Sequence, residues 1–185
     1  LRGMPRLSQH AGVGGGSGIL FGTPLLETAP TWDSLTWLRS QTRLPIVVKG
    51  LLSPDDARLA RDCGADGIIV SNHGGRVLDG LALPLEMLPR MVEAVDDELP
   101  LLLDSGVRHG TDILKALALG ARAALIGRPQ LHALAVAGIA GVAHMLHILR
   151  AELALAMAHA GCASCSAIDS RFLSDAIAPF RQEAP

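Results

Sequence analysis

Four times between Leu44 and about Ala160 the chain repeats one order: a short run of apolar, β-branched residues, a polar or glycine-rich turn, then a longer segment of helical periodicity. "LPIVVKG" (Leu44 to Gly50) leads into "SPDDARLARDCGA", with Ser53 as N-cap, Pro54 at the first helical position and acids in the first turn. "GIIVS" (Gly67 to Ser71) is followed by a helix over Pro84 to Val95, and "PLLLDSG" by "HGTDILKALALGA". "AALIGRP" (Ala123 to Pro129) precedes a long apolar helix. Strands apolar on both faces and separated by helices specify a parallel sheet covered by helices. The class is therefore α/β. An earlier helix is expected after Pro30, with Thr31 as N-cap and Trp32, Leu35 and Leu38 as its apolar stripe.

Lys49, Ser71, Asp104 and Gly127 each fall at the C-terminal end of a strand, before a glycine-containing loop. In a (β/α)8 barrel that rim carries the chemistry, and the loops after the last two strands commonly bind phosphate. A whole barrel needs eight units and typically about 250 residues. The 185 residues here hold four units, so the chain reads as the C-terminal half of a TIM barrel over residues 31–185. Residues 1–30, with "GVGGGSG" and little periodicity, read as a flexible surface loop.

Composition narrows the partners. With 49% hydrophobic and 18% charged residues the chain can bury a core, and at a net charge of -2 its 16 basic residues form no block that would track a phosphate backbone. Nucleic acid is not an expected partner. Three cysteines (Cys63, Cys162, Cys165) without a signal-like start do not make a disulfide framework and fit a reducing cytoplasm. Cys162 and Cys165 form a CxxC, but one such pair does not by itself specify redox or zinc chemistry. No Asp, Glu, Lys or Arg occurs from Pro129 to Leu149. That is about the length of a membrane span. Yet His132, His144 and His147 lie inside it, Gly138 and Gly141 interrupt it, and alanine dominates its apolarity. A helix pair packed on a soluble core is expected there, with no membrane span. His144 and His147 have the i, i+3 spacing of metal ligands but no carboxylate on the same turn, and no metal site is assigned.

Three stretches carry the chemistry. Lys49 ends an apolar strand, where an ammonium is costly to bury without an anionic partner, so it reads as a functional cation on the rim or as a side chain snorkelling to solvent. "SNHGGR" joins His73, which titrates near neutrality, to Arg76, whose planar fork suits a carboxylate. Gly74 and Gly75 let base and clamp face one small molecule. The alternative is a structural turn in which His73 meets a backbone carbonyl and Arg76 pairs with Asp79. "DSGVR" and "GRP" together supply backbone amides plus Arg108 and Arg128 where barrels hold phosphate.

"LPIVVKG", "ADGIIVSNHGGRVLDG", "LLLDSGVRHGTDILKALALGA" and "ALIGRP", in this order, resemble the FMN-dependent 2-hydroxy acid oxidase and dehydrogenase family, from about Thr31 to Phe172. The family includes glycolate oxidase and lactate and mandelate dehydrogenases. The resemblance implies FMN as cofactor and a small 2-hydroxy acid as substrate. It implies Lys49 beside the flavin N1 and O2 edge, Ser71 on the isoalloxazine ring, His73 as base and Arg76 on the substrate carboxylate. Asp104, Ser105, Gly106, Val107 and Arg108, with Gly127 and Arg128, would hold the ribityl chain and phosphate. Electrons would pass to flavin N5, with either the C2 proton or the hydroxyl proton taken by His73. Family members usually have glycine where Ser105 stands, so a positive φ there would strain the serine. The family's first four βα units, with an aspartate that pairs with the base and pocket tyrosines, have no counterpart, and this chain has no tyrosine. A chain that is incomplete and inactive alone is expected, associating with itself or with the missing half. The competing readings are a non-catalytic half-barrel interaction module and a flavin-free barrel enzyme acting on phosphorylated substrates.

Overall fold

A computed structural model of the chain describes residues 29–174. The chain divides after Thr31, and the second unit begins at Trp32. The glycine-rich stretch expected to be a loop over 1–30 lies outside the described residues except for its last two.

The elements of the second unit run α1 (Trp32–Gln41), β1 (Val47–Leu51), α2 (Pro54–Asp62), β2 (Gly67–Val70), α3 (Pro84–Val95), β3 (Leu101–Leu103), α4 (Gly110–Ala118), β4 (Ala123–Ala124) and α5 (Arg128–His159). All four strands are parallel in the order β1-β2-β3-β4. Each crossover is a helix, so the sheet is the βα repeat of a partial α/β barrel. Local chemistry sets the boundaries. Ser53 caps α2, its Oγ accepting from Asp55 N at 3.2 Å. α3 starts on Pro84 and ends on Asp96 in the left-handed region (φ 47). β4 is only two residues long, although the apolar run extends to Gly127; it pairs with Leu102 and Leu103 of β3.

Strand alternation decides which face is buried. Ile68, Val70, Leu101 and Leu103 point to the helices and are at most 2% exposed, packed with Leu88, Met91 and Val95 of α3. Burying each such side chain contributes about 1.5–3 kcal/mol. Val47, Lys49, Ile69, Leu102 and Ala123 alternate to the opposite face, where none is buried. The sheet is thus helix-covered on one face, and the face that a closed barrel turns inward is open.

The long apolar helix departs from expectation. α5 is long and apolar enough to cross a membrane by length and composition, but Ala137 (φ -145, ψ 25) and Gly138 (φ 57, ψ -139) break it into two segments. The expected packing on a core holds only for the C-terminal part of the second segment. There Leu153, Ala156 and Met157 pack against Leu114, Ala118, Cys162 and Ile168, and Glu152 accepts from Gly110 N at 2.7 Å. On either side of the break, Val136 and Ile139 are 85% and 88% exposed. Of all of α5, only Leu149 is buried. Alanine-rich sequence supplied apolarity there without a partner surface to bury it.

Candidate active site

The site is built at the C-terminal ends of the strands. Between Lys49 and Leu51 the register of β1 against β2 shifts at Gly50, whose φ is 104. This bulge lets the next loop lie close over β1: a Cβ on Gly50 would stand 2.7 Å from His73 Nε2. Glycine at position 50 is therefore the seat of the His73 ring.

His73, Gly74 and Gly75 follow β2 with φ of 55, 72 and 71, three successive left-handed residues. Asn72 makes this turn tolerable for a histidine. Its side chain is buried, and its Oδ1 accepts from Gly74 N at 3.1 Å and Gly75 N at 3.2 Å. The Ser71 hydroxyl accepts from His73 N at 3.0 Å. The turn leaves His73 and Arg76 exposed to solvent.

Lys49 has the anionic partner its position requires. Its Nζ lies 2.6 Å from Asp104 Oδ2 and donates to Ser71 Oγ at 3.0 Å. Asp104 also accepts from Ser105 Oγ at 2.7 Å. Burial raises the Asp104 pKa, but hydrogen bonds from Lys49, Ser71 and Ser105 and the charge of Lys49 outweigh it and hold the carboxyl below its ordinary value. Ser105 adopts the positive φ foreseen as a strain, 73. Its Oγ also accepts from Gly74 N at 3.0 Å, and Arg128 Nη2 donates to Gly74 O at 3.2 Å. The loops after β2, β3 and β4 are thereby tied together.

These groups open on one cleft of about 670 Å³. Lys49, His73, Arg76, Asp104, Ser105, Gly106, Val107, Arg108, Gly127 and Arg128 all line it. Four cations against one carboxylate make it a site for an anion. Ser71 is the exception: it is fully buried beneath the cleft, and its hydroxyl is engaged by Lys49 and the His73 amide. Among the described residues Arg76 makes no ion pair with Asp79, whose Oδ1 accepts from Gly80 N instead. Sequence reasoning assigned no role to Gly50 or Asn72. The signal for Asn72 was present, since asparagine before His-Gly-Gly favours a left-handed turn. The signal for Gly50 was not, because its neighbour, His73, lies on a different loop far along the chain.

A family model described as FMN-dependent dehydrogenase matches residues 8–175. The chain belongs to that family. It is 59% identical over 143 residues to an L-lactate oxidase of Alicycliphilus denitrificans, covering 77% of this chain and 39% of that protein. Identity is 52% over 148 residues to an L-lactate oxidase of Nostoc sp., covering 80% of this chain and 40% of the relative. With 2-hydroxyacid oxidase 1 of Mus musculus it is 50% over 144 residues, covering 78% and 39%. The crystal structure of mandelate oxidase with (S)-2-phenylpropionate superposes with a TM-score of 0.73 at 51% identity, covering 75% of this chain and 42% of that one. This FMN-dependent dehydrogenase family chain thus spans about two fifths of the length of the curated relatives it matches.

Proposed function

We propose that this chain carries the FMN-binding and acid-binding rim of an enzyme that oxidises a small L-2-hydroxy acid to the 2-oxo acid. The observation that carries the reading is the convergence of a base, a carboxylate clamp, a fixed cation and two arginine-bearing loops on a single cleft. The names of the relatives, lactate, 2-hydroxyacid and mandelate oxidases, support the substrate class.

The donor set fits FMN. Arg108 and Arg128 suit a phosphate, and a Cβ at Gly106 or Gly127 would meet nothing within 4 Å, so the backbone there can approach a ligand. Asp104, Ser105 and Val107 would complete the ribityl and phosphate contacts. The Lys49 ammonium would sit by the flavin N1 and O2 edge. When bound, FMN supplies at N5 the two-electron acceptor that no side chain here offers. Arg76 holds the substrate carboxylate in two parallel bonds, and His73 removes the proton from C2 or from the hydroxyl. Ser71 contributes from below by holding Lys49. Three free cysteines support the cytoplasm as compartment.

Residues 1–185 alone are expected to give no turnover, because four strands leave the inner face of the sheet open. That open face, with Val47 46% exposed, favours a second reading as an interaction module that self-associates or binds a complementary half-barrel. Co-expression with a segment supplying four preceding βα units, followed by FMN titration and anaerobic mixing with glycolate, lactate and mandelate, separates the two. A yellow complex bleached by one of these acids supports the oxidase. A colourless complex that takes up no FMN supports the module.

A further inference from the structure

Ser105 holds a backbone conformation that favours glycine, with φ 73, and its hydroxyl both donates and accepts. Its single proton goes to Asp104 Oδ1 at 2.7 Å and a lone pair takes Gly74 N–H at 3.0 Å, so the two bonds do not compete. On one side of this hydroxyl stands the carboxylate that holds Lys49 at 2.6 Å. On the other stands the residue after His73, whose carbonyl is held in turn by Arg128. A glycine would relieve the backbone and break both bonds.

We infer that the Ser105 hydroxyl is a positioning group for His73, tying the loop that carries the base to the carboxylate that fixes Lys49. Base and cation thereby keep one spacing across the cleft. The roles of His73 and Lys49 rest on the proposed function; the hydrogen-bonded link does not. Strain at Ser105 is offset by this link, which is a reason for a non-glycine residue to sit in the left-handed region. Facing Asp104 are Lys49 from β1, Ser71 after β2 and Ser105 itself, with His73, Arg108 and Arg128 along the same cleft.

The test compares Ser105→Ala, which keeps the strain and loses the bonds, with Ser105→Gly, which loses both. In the full chain, amide exchange at Gly74 and the Asp104 carboxyl titration are followed by NMR. Because the Gly74 amide keeps its second acceptor, Asn72 Oδ1, both variants are expected to speed Gly74 exchange by up to about 5-fold, the factor for loss of one ordinary hydrogen bond, and to raise the Asp104 midpoint. In the complemented protein saturated with FMN, both should slow flavin reduction. If Ser105→Gly instead leaves Gly74 exchange and the Asp104 midpoint at parental values, the link is overturned and Ser105 is only a strained turn residue. A parent protein that takes up no FMN overturns the oxidase reading instead, and the exchange and carboxyl readouts still decide the link.

Discussion

Lys49 Nζ and Asp104 Oδ2 stand 2.6 Å apart, a bond that reaches over β2 and joins the ends of β1 and β3. The carboxylate gives the ammonium at the end of an apolar strand an anionic partner, and hydrogen bonds from Lys49, Ser71 and Ser105 with the Lys49 charge outweigh burial and keep the carboxyl below its ordinary value. With side-chain exposures of 39% and 17%, the pair is partly screened and its contribution is about 1 kcal/mol.

Acid should weaken the fold through this group. A carboxyl whose pKa is depressed in the folded state contributes stability in full above its unfolded value, and the contribution is lost as pH falls through the lower folded value. Asp66, held down by the Ile46 amide and Arg39, and Glu152, held down by the Gly110 amide and His109, act in the same direction. Urea midpoints are expected to be flat near neutrality and to fall as pH drops below about 4, the ordinary carboxylate range. Asp104→Asn should lower the neutral-pH midpoint and flatten part of the acid slope. A parental acid slope in that variant would remove Asp104 from the account.

Gly50→Ala tests the seat of His73. The added methyl meets His73 Nε2 at 2.7 Å, and a φ of 104 strains any side chain. A cost of about 1–3 kcal/mol is expected, with displaced His73 ring resonances in the NMR spectrum. Unmoved His73 resonances would show that the ring does not rest on this glycine.

Asn72→Ala removes an acceptor for two backbone amides and buries nothing in exchange. Gly74 N–H keeps Ser105 Oγ and Gly75 N–H keeps the Asn72 carbonyl, so the loss should cost about 0.5–1.5 kcal/mol and loosen the His73 turn, read by urea denaturation and by faster exchange at Gly74 and Gly75. Normal exchange at both glycines would assign the turn to its glycines alone.

The strands and their helices were legible because β-branched runs, Ser53, Pro54 and Pro84 act locally, and α3 runs over the residues the sequence marks out. The rim residues were legible because they follow strands, which fixes the end of the sheet they occupy. What was not legible depends on residues far apart in sequence. Asp104 reads in sequence as a ribityl contact, and only the parallel register of β1, β2 and β3 makes it the partner of Lys49. Ser71 reads as a cleft residue, yet the fold of the loop above it buries its hydroxyl. Packing of α5 could not be inferred either, since alanine-rich periodicity is the same on a covered helix and an open one.

Arg76 and His73 separate by substitution. In the complemented, FMN-loaded protein, Arg76→Lys should weaken apparent affinity for a 2-hydroxy acid while FMN stays bound, because an ammonium cannot make two parallel bonds to a carboxylate. His73→Ala should slow flavin reduction about 10²- to 10⁴-fold, the usual effect of losing a general base. Stopped-flow reduction reads both. Unchanged acid affinity in the first variant, or near-parental reduction in the second, would remove that residue from its role.

The exposed apolar surface at the break in α5 should govern association of the chain alone. Val136 and Ile139 are 85% and 88% exposed on either side of Ala137 and Gly138, and apolar side chains so open to water favour contact with another surface. Neither contributes to the core beneath the sheet, so Val136→Lys with Ile139→Glu should leave the denaturation midpoint near the parental value. The double variant is expected to elute later on size exclusion than the parent at equal concentration. Co-elution of the two would assign association to the open β1 and β4 edges instead, where a charge at Val47 is the corresponding probe.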